Sequence, residues 1–232
     1  MRFARYGLAV TVITVMVLPP VWAQTDQPTK RQGPTKRSEG RVSLAEEEIL
    51  IVLADEASRH FHEARADLFR HENVGAATEL LKGAAFIKLE ANLASGEDKE
   101  ALMGAIRDLD VLAYDLQMGG MVYVTDFDRE FAQAEAALAN HHMQEAKEAW
   151  GKHEAKNTGL HLKAAMISLE NGWGWSGQKP SPETTTAIRE TDRVVNKLVS
   201  GVSGVDAEAK AALDKAAAEV GKLTTMTAQT KK

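Results

Sequence analysis

Apolar side chains recur every three or four positions along most of the chain, the spacing that places them on one face of an α-helix. Glycines, prolines and polar capping residues interrupt this pattern and divide the chain from residue 43 onward into seven segments. The predicted helices cover about 43–68, 74–93, 95–116, 125–140, 143–169, 181–201 and 206–225. Met121–Val124 is expected to be a short crossing strand or a buried connector. No βαβ rhythm is present, so the expected fold is all-α, with antiparallel helical hairpins packed as a bundle or a short helical repeat.

The N-terminal residues lack this periodicity and bear on the location of the protein. Residues 1–23 have arginines near the start, then an apolar run and a small residue at the end, the pattern of a signal peptide. A retained membrane anchor is the alternative, but the apolar run is shorter than the roughly 20 residues that span a bilayer. Residues 24–42 are polar and basic and predict a flexible linker. We therefore expect an exported periplasmic protein with no stable membrane insertion.

The helical domain is expected to cover residues 43–226. Its last two helices, residues 181–226, either belong to the main bundle or form a semi-independent hairpin. Ser181-Pro182-Glu183 is a strong helix start, because proline suits the first turn and serine caps it. Residues 227–232 are expected to be a disordered tail.

An internal sequence similarity indicates a repeated helical hairpin. Phe61–Leu68 and Phe131–Leu138 share the pattern F-x-x-A-x-A-x-L at an offset of 70 residues. The match continues with His71 and His141, which both fall where a turn between two antiparallel helices is expected. Helical repeats of this kind bury their apolar faces against one another.

A motif of small and apolar residues spans the first predicted hairpin, and a similar motif recurs at Ala134–Ala149. Its residues are Ala64-Arg65-Ala66-x-Leu68-Phe69, a turn, and then Ala76, Leu80, Leu81 and Ala84. In this spacing, the stretch from about Leu50 to Leu169 resembles the YfdX family. That resemblance implies an exported, all-helical bacterial protein linked to stress responses, and it transfers no catalytic residue. The same spacing is also similar to that of tetratricopeptide hairpins, which bind peptides in a groove.

The amino-acid composition of the chain excludes several classes of function. The 232 residues include no cysteine, which excludes disulfides, zinc ribbons and thiol catalysis. Lys and Arg number 28 against 33 Asp and Glu, so the basic surface of a nucleic-acid-binding protein is not expected. The sequence also contains no Gly-x-Ser-x-Gly elbow and no phosphate-binding loop. We therefore expect a non-enzymatic protein with no nucleic-acid partner.

Histidines make a metal site a candidate feature. All seven lie between His60 and His161, and several have carboxylates within one helical turn. Imidazole and carboxylate groups ligate zinc and copper. The alternative is that these side chains form a solvated polar face around His60 and an exposed turn at His141-His142. The candidate ligands are His60, Glu63, His141, His142, Glu145 and His153.

Trp173 and Trp175 stand in the glycine-rich stretch Asn171–Gln178, which is predicted to be a loop beyond the fifth helix. Tryptophan is common at binding hot spots, so the pair is a candidate contact site for a protein partner or a second copy of the chain. The alternative is a lid in which both rings pack back onto the bundle. The sequence thus favours a stress-related protein- or self-interaction module, and periplasmic divalent-metal binding is the alternative function.

Overall fold

The computed structural model describes residues 44–229, with side chains from residue 55 onward. This part of the chain contains no strand, which confirms the predicted all-α fold. The predicted signal peptide and linker lie outside the described residues. The helices are α1 (Leu44–Phe69), α2 (Asn73–Leu93), α3 (Gly96–Gln117), α4 (Val124–Gly151), α5 (Ala155–Trp175), α6 (Pro182–Val199) and α7 (Asp206–Gln229).

Four of these helices end in the same turn. After α1, α3, α4 and α6 the chain adopts a positive φ at His71, Gly119, His153 and Gly201. In each turn the next backbone N–H donates to the carbonyl five residues earlier, at 2.8 to 3.0 Å. This is the Schellman ending, which satisfies the last carbonyls of a helix and normally uses glycine. His71 and His153 adopt it although a side chain costs about 1–2 kcal/mol in this region.

The helix boundaries repeat with a period of 82 residues. Adding 82 maps α1 onto α4, α2 onto α5 and α3 onto α6, and it maps the start of α4 onto the start of α7. The helix boundaries that lie inside the described residues agree with this offset, except that α6 starts four residues late. Two short sequence motifs repeat with the same 82-residue period: His60-x-x-Glu63-Ala64 recurs at 142–146, and Ala105-Ile106-Arg107 recurs at 187–189. The chain is therefore built on a three-helix unit.

The 70-residue register of the sequence analysis is not that of the helices. It paired Phe61 with Phe131, but these rings stack on each other, with centroids 4.4 Å apart and planes inclined by 9°. The residue equivalent to Phe61 by the 82-residue period is Met143. Alanine and leucine positions match in several registers, so their spacing alone could not select the correct one.

Two apolar clusters form the core of the described residues. The first joins α1 to α4 and also takes in Trp175 from α5, and the second joins α4 to α7. Phe127 and Phe131 of α4 belong to the first cluster, whereas Met143 and Ala146 of the same helix belong to the second. α4 is thus shared between the two.

Equivalent positions in the two repeat units carry side chains of different size. A Cβ atom on Gly83 would lie 2.6 Å from Cε1 of Phe61, so the ring is accommodated only because Gly83 lacks a side chain. The equivalent residues in the second unit are Ala165 and Met143, both of which are buried. A larger residue on one helix is therefore matched by a smaller one on the other.

The predicted boundary between the fourth and fifth helices is wrong. α4 continues through His141 and His142, because both imidazoles are buried against neighbouring helices and the segment contains no helix breaker. The helix ends at Gly151, and the turn is formed around His153. The prediction of an exposed turn at His141-His142 is wrong for the same reason.

α5 also extends beyond the predicted end at Leu169. It runs through Gly172 to Trp175, so both tryptophans lie in the last turns of a helix and not in a loop. Gly172 allows close packing at this point, since a Cβ atom there would lie 2.6 Å from Cδ2 of Leu223 in α7. Glycine here reflects helix packing and does not mark a loop.

Two smaller predictions differ from the structure, and one alternative that the sequence left open is decided. Met121 and Tyr123 are exposed and non-helical and Val124 begins α4, so this segment is neither a strand nor a buried connector. α7 packs on α4 and α5, so the last two helices belong to the main bundle. α7 reaches Gln229, which shortens the predicted tail. Among the helices of the described chain, none is long and apolar enough to cross a membrane.

Candidate metal centre

Four polar side chains from three helices meet inside the bundle. α4 supplies His141 and His142, α2 supplies Glu90 and α5 supplies His161, and we call these residues the core cluster. His142 is fully buried, His141 is 2% exposed and Glu90 is 6% exposed. His161 is half-buried. The cluster forms because α4 remains helical through both histidines and packs between α2 and α5.

The distances in the core cluster suit a metal ion. Nε2 of His141 lies 3.4 Å from Oε2 of Glu90. Glu90, His141 and His142 each offer one ligand atom, and these three atoms lie within 4.8 Å of one another. The ring of His161 is the next donor, with its centroid 6.1 Å from that of His142. Ligand atoms around a tetrahedral zinc ion are about 3.4 Å apart, so small side-chain rotations would close the set.

The core cluster leaves buried polar atoms without partners. Neither ring nitrogen of His142 makes a hydrogen bond, and Nδ1 of His161 makes none. A buried donor or acceptor without a partner costs about 1–3 kcal/mol. A histidine that served only the packing of a core would normally satisfy at least one of its nitrogens. These nitrogens are therefore available to a ligand.

Protonation in the core cluster also favours a cation. Burial lowers the pKa of His142 to about 4, so its imidazole is neutral at neutral pH. Burial likewise lowers the pKa of His161, although the charge of Glu145 opposes this. Burial alone would raise the pKa of Glu90, but its hydrogen bond with His141 and the nearby imidazoles hold it below its ordinary value. Neutral imidazoles beside an ionised carboxylate are the protonation states that ligate a metal.

A second group, which we call the hairpin cluster, consists of His60, Glu63 and Glu79. Nδ1 of His60 lies 2.6 Å from Oε2 of Glu79, and Glu63 is within 4.0 Å of the same nitrogen. His60 is 6% exposed and stacks on Phe86 with ring centroids 5.5 Å apart. The alternative prediction of a solvated polar face is therefore wrong for His60.

The two remaining predicted ligands lie apart from these ligand sets. Glu145 is half-buried one turn after His142, and its charge acts on His161. His153 is exposed in the turn between α4 and α5 and belongs to neither cluster. The sequence reasoning missed Glu90, His161 and Glu79, because it grouped residues within single helices and these come from neighbouring ones. The 82-residue period was the available signal, since it relates His60 to His142.

The two predicted contact tryptophans have different surroundings. Trp175 is buried, with its ring 5.0 Å from that of Phe131 and 4.3 Å from that of His62. Trp173 is half-buried and lines a cavity of about 550 Å³ between α5 and α6, and its Nε1 has no hydrogen-bond partner. Trp175 therefore packs onto the bundle, as the alternative prediction had it, and Trp173 alone borders an open cavity.

One more ionisable group is fully buried. Glu135 of α4 faces α1 and α5, where the hydroxyl groups of Ser58 and Ser168 are its nearest polar neighbours. Burial raises the pKa of Glu135 to about 8; the two hydroxyls oppose this shift and the charge of Asp55 adds to it. The side chain is therefore mostly neutral at neutral pH.

No protein-family model, no curated protein and no solved structure matches this chain. The resemblance to the YfdX family stays a prediction from spacing. The function is therefore best judged from the geometry of the site.

Proposed function

We propose that this protein binds one divalent transition-metal ion at the core cluster. The observation that carries the proposal is His142, whose ring nitrogens are both buried and unpartnered beside Glu90 and His141. A metal ion would satisfy these atoms and neutralise the buried carboxylate. The proposed role is metal binding, which needs only coordination by side chains that are already close together.

Imidazole and carboxylate donors select the kind of ion. Zinc and copper bind such mixed nitrogen and oxygen sets, whereas magnesium and calcium prefer oxygen ligands alone. We therefore propose Zn²⁺ or Cu²⁺ as the ligand. The N-terminal residues 1–23, with the pattern of a signal peptide, support a periplasmic setting for this activity.

Metal titration of chelator-treated protein tests the proposal. We expect one ion per chain by native mass spectrometry. Binding adds about 2.7 kcal/mol to the free energy of unfolding when free metal exceeds Kd a hundredfold. For a chain of this size, that corresponds to a rise in Tm of about 5–10 °C.

Two variants and one control locate the site. His142→Ala should abolish the stoichiometric ion, and Glu90→Gln, which keeps the side-chain shape, should weaken binding. His153→Gly is the matched control, because His153 is an exposed histidine in a turn outside the core cluster. Circular dichroism verifies that each variant is folded. Equal metal binding by His142→Ala, Glu90→Gln and the control would refute the proposal.

Self-association is a second candidate function, supported by one surface of α3. Val111 and Tyr114 lie on one face of α3, Met118 directly follows the helix, and all three side chains are 59–69% exposed. Contiguous exposed apolar side chains commonly mark protein interfaces. Sedimentation velocity of wild type and of a Tyr114→Lys, Met118→Lys double variant tests this role. A monomeric wild-type protein at all concentrations would exclude it.

A further inference from the structure

The core cluster and the hairpin cluster occupy equivalent places in the 82-residue repeat. Each takes two side chains from the first helix of a unit and one from the second helix, and the core cluster takes in addition Glu90 from α2 of the first unit, which has no counterpart in the hairpin cluster. In both units these side chains interact across the same pair of helices. The equivalent pairs are His60 with His142 and Glu79 with His161, whereas the counterpart of Glu63 is Glu145, which lies outside the core cluster.

The two units differ at the residue before the shared histidine. Arg59 in the first unit corresponds to His141 in the second. The Arg59 guanidinium donates from Nη1 to Glu63 at 2.8 Å and from Nη2 to Glu56 at 2.5 Å. Its Nη2 also lies 3.2 Å from Nε2 of His60. The positive charge of Arg59 is therefore seated against the imidazole of His60 and the carboxylate of Glu63, while Nζ of Lys82 lies 2.6 Å from Oε1 of Glu79.

The ring nitrogens of the two equivalent histidines, His60 and His142, differ in their polar contacts. In the hairpin cluster, Nδ1 of His60 contacts Glu79 and Nε2 contacts Arg59, so both nitrogens have a neighbour. In the core cluster neither ring nitrogen of His142 has a hydrogen-bond partner. Burial is similar for the two histidines, so exposure to solvent does not account for the difference.

We propose that the hairpin cluster is a cation site whose resident cation is the guanidinium of Arg59. The residue at this repeat position then decides what each unit takes: arginine supplies an internal cation, and histidine leaves room for a divalent metal ion. The metal half of this inference rests on the proposed function of the core cluster. Charge repulsion from Arg59 should keep a second metal ion out of the wild-type protein.

Replacing Arg59 by histidine in the full chain tests the inference. Arg59 is half exposed, so this replacement should leave the fold intact. Native mass spectrometry of the chelator-treated protein with added Zn²⁺ should count one ion in wild type and two in Arg59→His. Arg59→Lys keeps the charge and should hold one ion, and Arg59→His with His60→Gln should return to one.

The outcomes separate this inference from the proposed function. One ion in both wild type and Arg59→His would refute the role of Arg59 and leave the core cluster standing. Two ions in wild type, one of them lost in His60→Gln, would also refute it, because Arg59 would then not exclude metal. No ion in wild type would refute the proposed function, and a single ion gained by Arg59→His would still support the role of Arg59.

Discussion

Replacing Glu135 by glutamine tests how a buried carboxyl group limits the stability of the bundle. Between the ordinary pKa of 4.5 and the folded-state pKa of about 8, the unfolded chain is ionised at this residue and the folded chain is not. The folded state therefore binds more protons, and its stability falls as pH rises, by about 1.4 kcal/mol per pH unit. From about pH 5 to about pH 7 the loss is about 3 kcal/mol, a large share of the usual 5–15 kcal/mol.

Glutamine is neutral in both states, so Glu135→Gln should remove this pH dependence. We expect the free energy of unfolding of the variant, relative to wild type, to rise by about 3 kcal/mol between about pH 5 and pH 7. Urea unfolding in the presence of chelator measures this difference in free energy without a contribution from bound metal. Glu148→Gln, which changes an exposed carboxylate on the same helix, is the control. Parallel pH profiles for Glu135→Gln and wild type would refute the buried, neutral state of Glu135.

Three further predictions concern the packing and the turns. His71→Gly and His153→Gly should each raise the free energy of unfolding by about 1 kcal/mol, since glycine adopts positive φ without the cost of a Cβ atom; an unchanged urea midpoint would contradict this. Gly83→Ala should destabilise by about 1–3 kcal/mol, and adding Phe61→Met should recover most of the loss, whereas a further loss would count against the repeat-related packing. Trp175→Ala should lower the free energy of unfolding by about 3–5 kcal/mol, and a loss below 1 kcal/mol would show that its ring does not fill the core.

Most helices were predictable from local signals. The start of α6 follows from the cap at Ser181, whose hydroxyl accepts from the backbone N–H of Thr184 at 3.1 Å. The boundary between α4 and α5 was not predictable in this way, because His141 and His142 have the local character of turn residues. Their burial between helices decides the outcome, and burial depends on residues far away in the sequence.

The candidate site was only half predictable. His141 and His142 were candidates as neighbours in the chain, but Glu90 and His161 reach them from other helices. No spacing within one helix can indicate such a contact. The same limit applies to Gly172, which suggests a loop by composition and instead allows close packing of Leu223.

The sharing of α4 between the two apolar clusters has a consequence for cooperativity. Its N-terminal half completes the first cluster and its C-terminal half begins the second, with no break in the hydrogen-bonded helix between them. Opening of either half of the bundle would therefore remove packing from one end of this helix. The bundle should therefore melt as one unit, and an ion held by Glu90 of α2 and by the C-terminal half of α4 would protect both clusters against transient opening and proteolysis.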